Sequence, residues 1–161
     1  FNKDFFNYFE ERDFCWRVIL AGYDVIYCPK AIVYHKGRQT SKRLSFSSTQ
    51  YGSFKNRLTS ILINLGNKGL IKMIPLHFLY CLFQMIGLLI MAKFSCALVV
   101  PRAWWWNIKN LPAILEKRKL IQTNIRKVSD KEIMRVYMKH QDFRDYLLFF
   151  YKPWKYKEQK K

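Results

Sequence analysis

The pattern of apolar and polar positions divides the chain into three stretches. From Glu10 to Leu20, apolar residues fall at Phe14, Cys15, Val18 and Ile19, a helical spacing with Phe14 and Val18 four apart. Ala21-Gly22 supplies the stop, because glycine accepts the left-handed backbone that closes a helix. Tyr23–Cys28 is short, aromatic and β-branched and predicts a strand; Pro29-Lys30 punctuates it, and Ala31–His35 predicts a second. Gly37–Ser53 is rich in Ser, Thr, Gln and basic residues without a period, and predicts a loop. Phe54–Leu65 returns to helical spacing.

The middle stretch differs in kind. From Met73 to Ala92 the clearly polar side chains are His77 and Gln84, over about the length that spans a bilayer core. Lys93 interrupts, Phe94–Val100 is apolar again, and Pro101-Arg102 leads into Trp104-Trp105-Trp106. Three adjacent tryptophans point in different directions around a helix, so one buried face cannot take them all; a membrane–water interface can. Basic residues flank this region before (Lys55, Arg57, Lys68, Lys72) and after (Arg102, Lys109, Lys117, Arg118, Lys119). Both flanks therefore read as cytoplasmic, which favours a helical hairpin bent near Lys93 over a single span. Residues 107–161 are polar and basic, and predict two helices, the second capped by Ser129 or Asp130. The tail mixes Lys with aromatics, a makeup that suits an anionic membrane surface or a solvated end. The expected organisation is α/β in 1–60, a membrane-associated apolar hairpin in 61–106, and basic helices with a tail in 107–161.

Charge narrows the partners. The 161 residues hold 29 Lys and Arg against 11 Asp and Glu, a net +18. That surplus suits phospholipid head groups, phosphates or nucleic acid. The cysteines Cys15, Cys28, Cys81 and Cys96 have no metal or redox spacing and read as buried thiols. His77 and His140 read as structural. The chain begins at Phe1 without an initiator Met, and is expected to be the C-terminal part of a longer protein.

Against this basic background, Glu10, Glu11 and Asp13 stand together at the start of the first helix. On their own they suit the positive end of the helix dipole. Asp13 and Arg17, at i and i+4, can pair on one face.

In sequence order, Glu10-Glu11, Asp13, Arg17, Ala21-Gly22, Pro29 and Tyr34-His35 resemble the second half of the catalytic domain of family 2 glycosyltransferases, in particular the bacterial rhamnosyltransferase-like group. The likeness covers about the first 40 residues and continues more weakly through "KNRLTSILINL" and "LPAILEKRKLIQ". It implies a GT-A (Rossmann-like) α/β fold and transfer of a sugar, with inversion, from a nucleotide-sugar donor to a saccharide acceptor. That acceptor is expected to be lipid-linked, on the cytoplasmic face of the bacterial inner membrane, in polysaccharide synthesis. Glu11 would be the base that takes the acceptor hydroxyl proton, with Glu10, Asp13 and Arg17 supporting the acidic motif. His35, Arg38 and Thr40, with Lys36 and Ser41, would lie near the donor diphosphate. A divalent metal, Mg or Mn, is implied, with His35 as one ligand. Three departures stand out. Glu11 replaces the commoner Asp, Asn2-Lys3 replaces an acidic pair, and this chain has no nucleotide-binding half with its metal-holding Asp-x-Asp. The chain by itself is thus expected to be inactive.

Two other classes compete. Net charge and interleaved aromatics suit a nucleic-acid-binding protein, but nucleic acid as partner explains neither the long apolar stretch nor the acidic helix start. A non-enzymatic membrane anchor explains the apolar stretch and leaves the acidic motif without a role.

Overall fold

A computed structural model describes residues 1–34 and 44–137, with the backbone alone at 136 and 137. The chain divides into two units, Phe1–Asp130 and Lys131–Lys161. In order, the elements are α1 (Glu10–Leu20), α2 (Phe46–Asn64), α3 (Asn67–Ile90), α4 (Phe94–Ala97), α5 (Val99–Lys109), α6 (Leu111–Leu120), a π-helical turn (Ile121–Ile125) and α7 (Asp130–Tyr137).

The α/β, Rossmann-like expectation is wrong for this chain: the described residues form helices and no strand. Tyr23–Cys28 and Ala31–Tyr34 are irregular around a turn at Pro29-Lys30. Their β-rich composition is a local preference, whereas a strand is held by the ladder to a neighbour. No neighbouring strand exists among the described residues, and Ile26, Tyr27 and Val33 remain more than four-fifths exposed. His35, residues 36–43, His140 and the lysine–aromatic C-terminal sequence lie outside the described residues.

Helix α1 occupies the expected residues. Its end is a Schellman motif: Gly22 N–H bonds Ile19 O (2.9 Å) and Tyr23 N–H bonds Val18 O (3.2 Å), with Gly22 at φ 84°. Helix α2 starts eight residues before the expected Phe54. Ser45 caps it by accepting from Ser48 N–H at 3.2 Å, so the Ser/Thr-rich segment is helix where a loop was expected. It also runs through residue 60, as α5 runs through 106, so neither expected boundary falls between elements.

Helix α2 is the centre of the first unit, with α1, α3, α5 and α6 packed against it. Its inner face is polar as well as apolar. Asn56, Thr59, Ser60 and Asn64 are buried beside Leu58, Ile61 and Ile63. Thr59 Oγ1 donates to Asn107 Oδ1 (2.7 Å), and Asn107 Nδ2 donates to Ala103 O (2.9 Å) and Lys55 O (3.2 Å), tying α5 to α2. The C-terminal carbonyls of α2 are taken by side chains four residues apart, on α6, on the π-helical turn and at the end of that turn. Arg118 donates to Leu62 O (2.6 Å) and Leu65 O, Gln122 to Ile63 O (2.9 Å), and Arg126 to Asn64 O. Cations there also oppose the negative end of the dipole, so part of the basic surplus is structural.

Helix α3 is long and apolar, yet only 11 % of its most apolar stretch is buried. Leu76, Leu79, Phe83 and Ile90 are among its exposed residues. Just past its end Ala92 adopts a left-handed conformation (φ 56°) and Lys93 N–H bonds back to Leu88 O at 2.9 Å. The chain then reverses, and Trp104 of α5 stacks on His77 (5.9 Å) and meets Phe78 edge-on (5.4 Å). The three tryptophans do diverge: Trp105 is 67 % exposed, and Trp106 lies 4.4 Å beneath the Lys55 ammonium.

The second unit is described through α7, which lacks any acidic residue beyond Asp130 and Glu132 and carries Lys131 and Arg135.

Candidate active site

The acidic motif opens α1, and the backbone before it is strained. Tyr8 (φ 66°) and Phe9 (φ 75°) are both left-handed without being glycine. Such residues cost about 1–3 kcal/mol each and persist where neighbours fix them. Here Asn56 of α2 donates to Asn7 O (3.0 Å) and Tyr8 O (2.7 Å). Gly52 permits the approach, since a Cβ there would lie 2.9 Å from Asn7 O. No side chain caps α1, so Glu10, Glu11 and Asp13 are the negative charge at its positive end.

The three acids have separate fates. Asp13 is fully buried and committed. Its Oδ1 accepts from Ser60 Oγ (2.9 Å) and Asn64 Nδ2 (2.8 Å), and its Oδ2 meets Arg17 through Nε (3.1 Å) and Nη2 (3.0 Å). The pairing of Asp13 with Arg17 is the one the four-residue spacing suggests. Ser60 and Asn64 were not foreseen, although their spacing with Asn56 along an apolar helix is the signal that finds them. Glu11 is exposed. Glu10 is half-buried, and its Oε2 is enclosed without a hydrogen-bond partner. One carboxylate is therefore locked as scaffold, while its neighbour two residues earlier is open to a reactant.

Two arginines stand by this turn, Arg12, which the sequence did not single out, and Arg57, which it offered only as a basic flank of the apolar region. The guanidinium carbons of Arg12 and Arg57 lie 5.5 and 5.8 Å from the Phe9 ring centroid. The structure does not describe where His35, Arg38 and Thr40 lie, so the donor side expected from them is undefined. Among the described residues no group of three His, Cys, Asp or Glu stands together as metal ligands. A surface depression of about 320 Å³, lined by Asn67, Leu115, Arg118, Lys119 and Gln122, includes none of the acidic-motif residues. Its Arg118 is already committed to the carbonyls of α2.

No family model, curated protein or solved structure matches the chain.

Proposed function

We propose that this chain acts in sugar transfer at a membrane, moving a sugar from a nucleotide-sugar donor to a saccharide acceptor carried on lipid, as in cell-surface polysaccharide synthesis on the cytoplasmic face. The observation that carries the reading is the division of labour in the motif: Asp13 is buried and fully hydrogen-bonded, while Glu11, on the same helical turn, is open. A carboxylate that is to take a hydroxyl proton must be reachable by the acceptor, and the turn that carries it must not move. The Asp13 network and the Asn56 contacts hold that turn. Glu11 then removes the acceptor proton as the hydroxyl oxygen attacks the anomeric carbon and the nucleotide diphosphate leaves. The step assigned to Glu11 does not pass through the divalent metal implied for the donor. The proposal rests on the ordered motif residues and not on a nucleotide-binding sheet. The exposed apolar length of α3 supports a membrane setting and disfavours nucleic acid as partner.

The test is Glu11→Gln in the intact protein in native membranes, assayed for sugar incorporation from a panel of labelled nucleotide sugars. Turnover should fall by about two to four decades with nucleotide-sugar binding kept. Near-normal turnover in Glu11→Gln together with a dead Glu10→Gln would move the base to Glu10. Normal turnover in both sinks the assignment.

A further inference from the structure

We propose that Arg57, supported by Arg12 on the Phe9 ring they share, holds the terminal phosphate of a membrane lipid at the edge of the exposed face of α3. The proposal rests on reading α3 as a membrane element and does not depend on Glu11 being a base.

Arg57 is unlike the other half-buried arginines. Arg17 is paired with Asp13, Arg118 with the carbonyls of α2, and Arg126 with Asp130 at 2.9 Å. Arg57 is only partly exposed, yet among the described residues it makes no hydrogen bond and no carboxylate lies within 4 Å of it. Its neighbours are rings: Phe9 at 5.8 Å, Phe54 at 5.9 Å and Tyr80 at 5.4 Å. Arg12 shares the Phe9 ring, and Arg102 stands 5.7 Å from Tyr51. Tyr51 and Tyr80 pack on one core cluster with Phe54, so Arg57 and Arg102 border a common aromatic platform, which Arg12 joins through the Phe9 ring it shares with Arg57.

Rings engage the flat face of a guanidinium and leave its in-plane N–H fork uncommitted. A cation partly withdrawn from water without a counter-ion is costly, and a phosphate supplies both the charge and the paired acceptors the fork matches. The position of the platform selects a lipid. Tyr80 belongs to α3, and its neighbours Leu76, Leu79 and Phe83 are 59, 59 and 64 % exposed. The ligand that satisfies the cations and the apolar face together is a phosphate joined to a long hydrocarbon.

The full chain is tested by co-sedimentation with vesicles of phosphatidylcholine alone, of phosphatidylcholine with phosphatidic acid, and of phosphatidylcholine with oleate at matched surface charge. Binding to all three is expected, tightest to phosphatidic acid. Arg57→Gln should remove that preference, a loss of about fivefold, the scale for one cation at a membrane surface. Arg57→Lys, which keeps charge without the fork, should lose most of it. Lys68→Gln, the same charge change on an exposed residue, should weaken the phosphatidic acid and oleate vesicles alike. An equal effect of Arg57→Gln on both anionic vesicles overturns the proposal. Should Arg57→Gln fail to fold by circular dichroism, the exposed Arg12→Gln decides, and an unchanged preference there overturns it. Arg57-dependent binding of inorganic phosphate without vesicles, as tight as the lipid, overturns the lipid source. Failure to bind any vesicle overturns the membrane reading of α3 and this proposal with it, while leaving the Glu11 experiment untouched.

Discussion

The carboxylate of Asp130 accepts a hydrogen bond from the backbone N–H of Gly66 at 2.9 Å, so the residue that opens α7 closes the start of α3. Arg126 holds the same carboxylate from the other side. The fit needs glycine on α3 as well, since a Cβ at Gly69 would lie 2.5 Å from Asp130 Oδ2. Alanine ordinarily stabilises a helix interior by about 1 kcal/mol over glycine. Here Gly69→Ala should destabilise, because it expels the anion from the helix N-terminus. In Asp130→Ala the same glycine change should become neutral or favourable. Thermal melts of the four proteins in this cycle measure the coupling; simple additivity would show that the contact carries no energy.

Asp13 and Glu11 should separate scaffold from chemistry. Asp13→Ala strips two donors and the Arg17 guanidinium of their shared partner. Breaking a buried pair from one side costs about 3 kcal/mol or more, so this variant should unfold at clearly lower denaturant. Glu11→Gln, on an exposed side chain, should unfold like the parent. Equal stability of Asp13→Ala and the parent would contradict the network.

The reversal after α3 stores a correctable strain. Ala92 sits at φ 56°, in the position a helix end usually gives to glycine. Ala92→Gly should stabilise the chain by about 1 kcal/mol. A raised melting temperature in detergent is the expected result, and a lowered one would mean that the reversal has another conformation.

A pH dependence follows from Lys55. Burial pulls its ammonium below the ordinary lysine value; Asp4 opposes this and Lys117 adds to it. As pH rises through the lowered value, the folded chain gives up this proton while the unfolded chain still holds it. The unfolded state then binds more protons, and this residue makes stability rise with pH up to the ordinary lysine range. Tyr51, whose phenol is raised by burial against the lowering pull of Arg102, acts in the opposite direction once the unfolded phenol ionises above its ordinary 10.0. Denaturant midpoints measured across the alkaline range for the parent and Lys55→Met should converge as pH rises, apart from a constant offset. Parallel curves would mean that Lys55 keeps its ordinary affinity.

What could be read in advance was local. Helix α1, its glycine stop and the Asp13–Arg17 pair depend on residues within five positions of one another, and spacing alone reveals them. The strands failed because Tyr23–Tyr34 carries the preference of a strand but, among the described residues, no partner to pair with. The first two turns of α2 were missed because Ser, Thr and Gln weaken the apolar period, although Ser45 was there as a cap. Ser60, Asn64 and Asn107 look like solvent-facing residues in a list of letters. They become interior groups only when α1 and α5 arrive with matching donors and acceptors. Arg118 reads in the sequence only as part of a basic flank, and Gln122 and Arg126 carry no signal there, because their carbonyl acceptors lie over fifty residues away in sequence.

The polar seam of α2 selects one register for α5. Purely apolar helices can creep past one another, because one methyl contact replaces the next at little cost. If α5 slipped by a single residue, Thr59 would keep its bond to Lys55 O and Asn107 its bond to Ala103 O, each within its own helix, but the Asn107 carbonyl oxygen would lose the Thr59 hydroxyl that crosses from α2. Leaving that buried oxygen without a donor would cost about 1–3 kcal/mol. Intermediate alignments are disfavoured by that amount, and the seated register of α5 is singled out. Since α5 is also the return arm beside α3, the bonds that cross from Thr59 and Asn107 weight any rearrangement of that hairpin towards a discrete unlatching over a gradual slide.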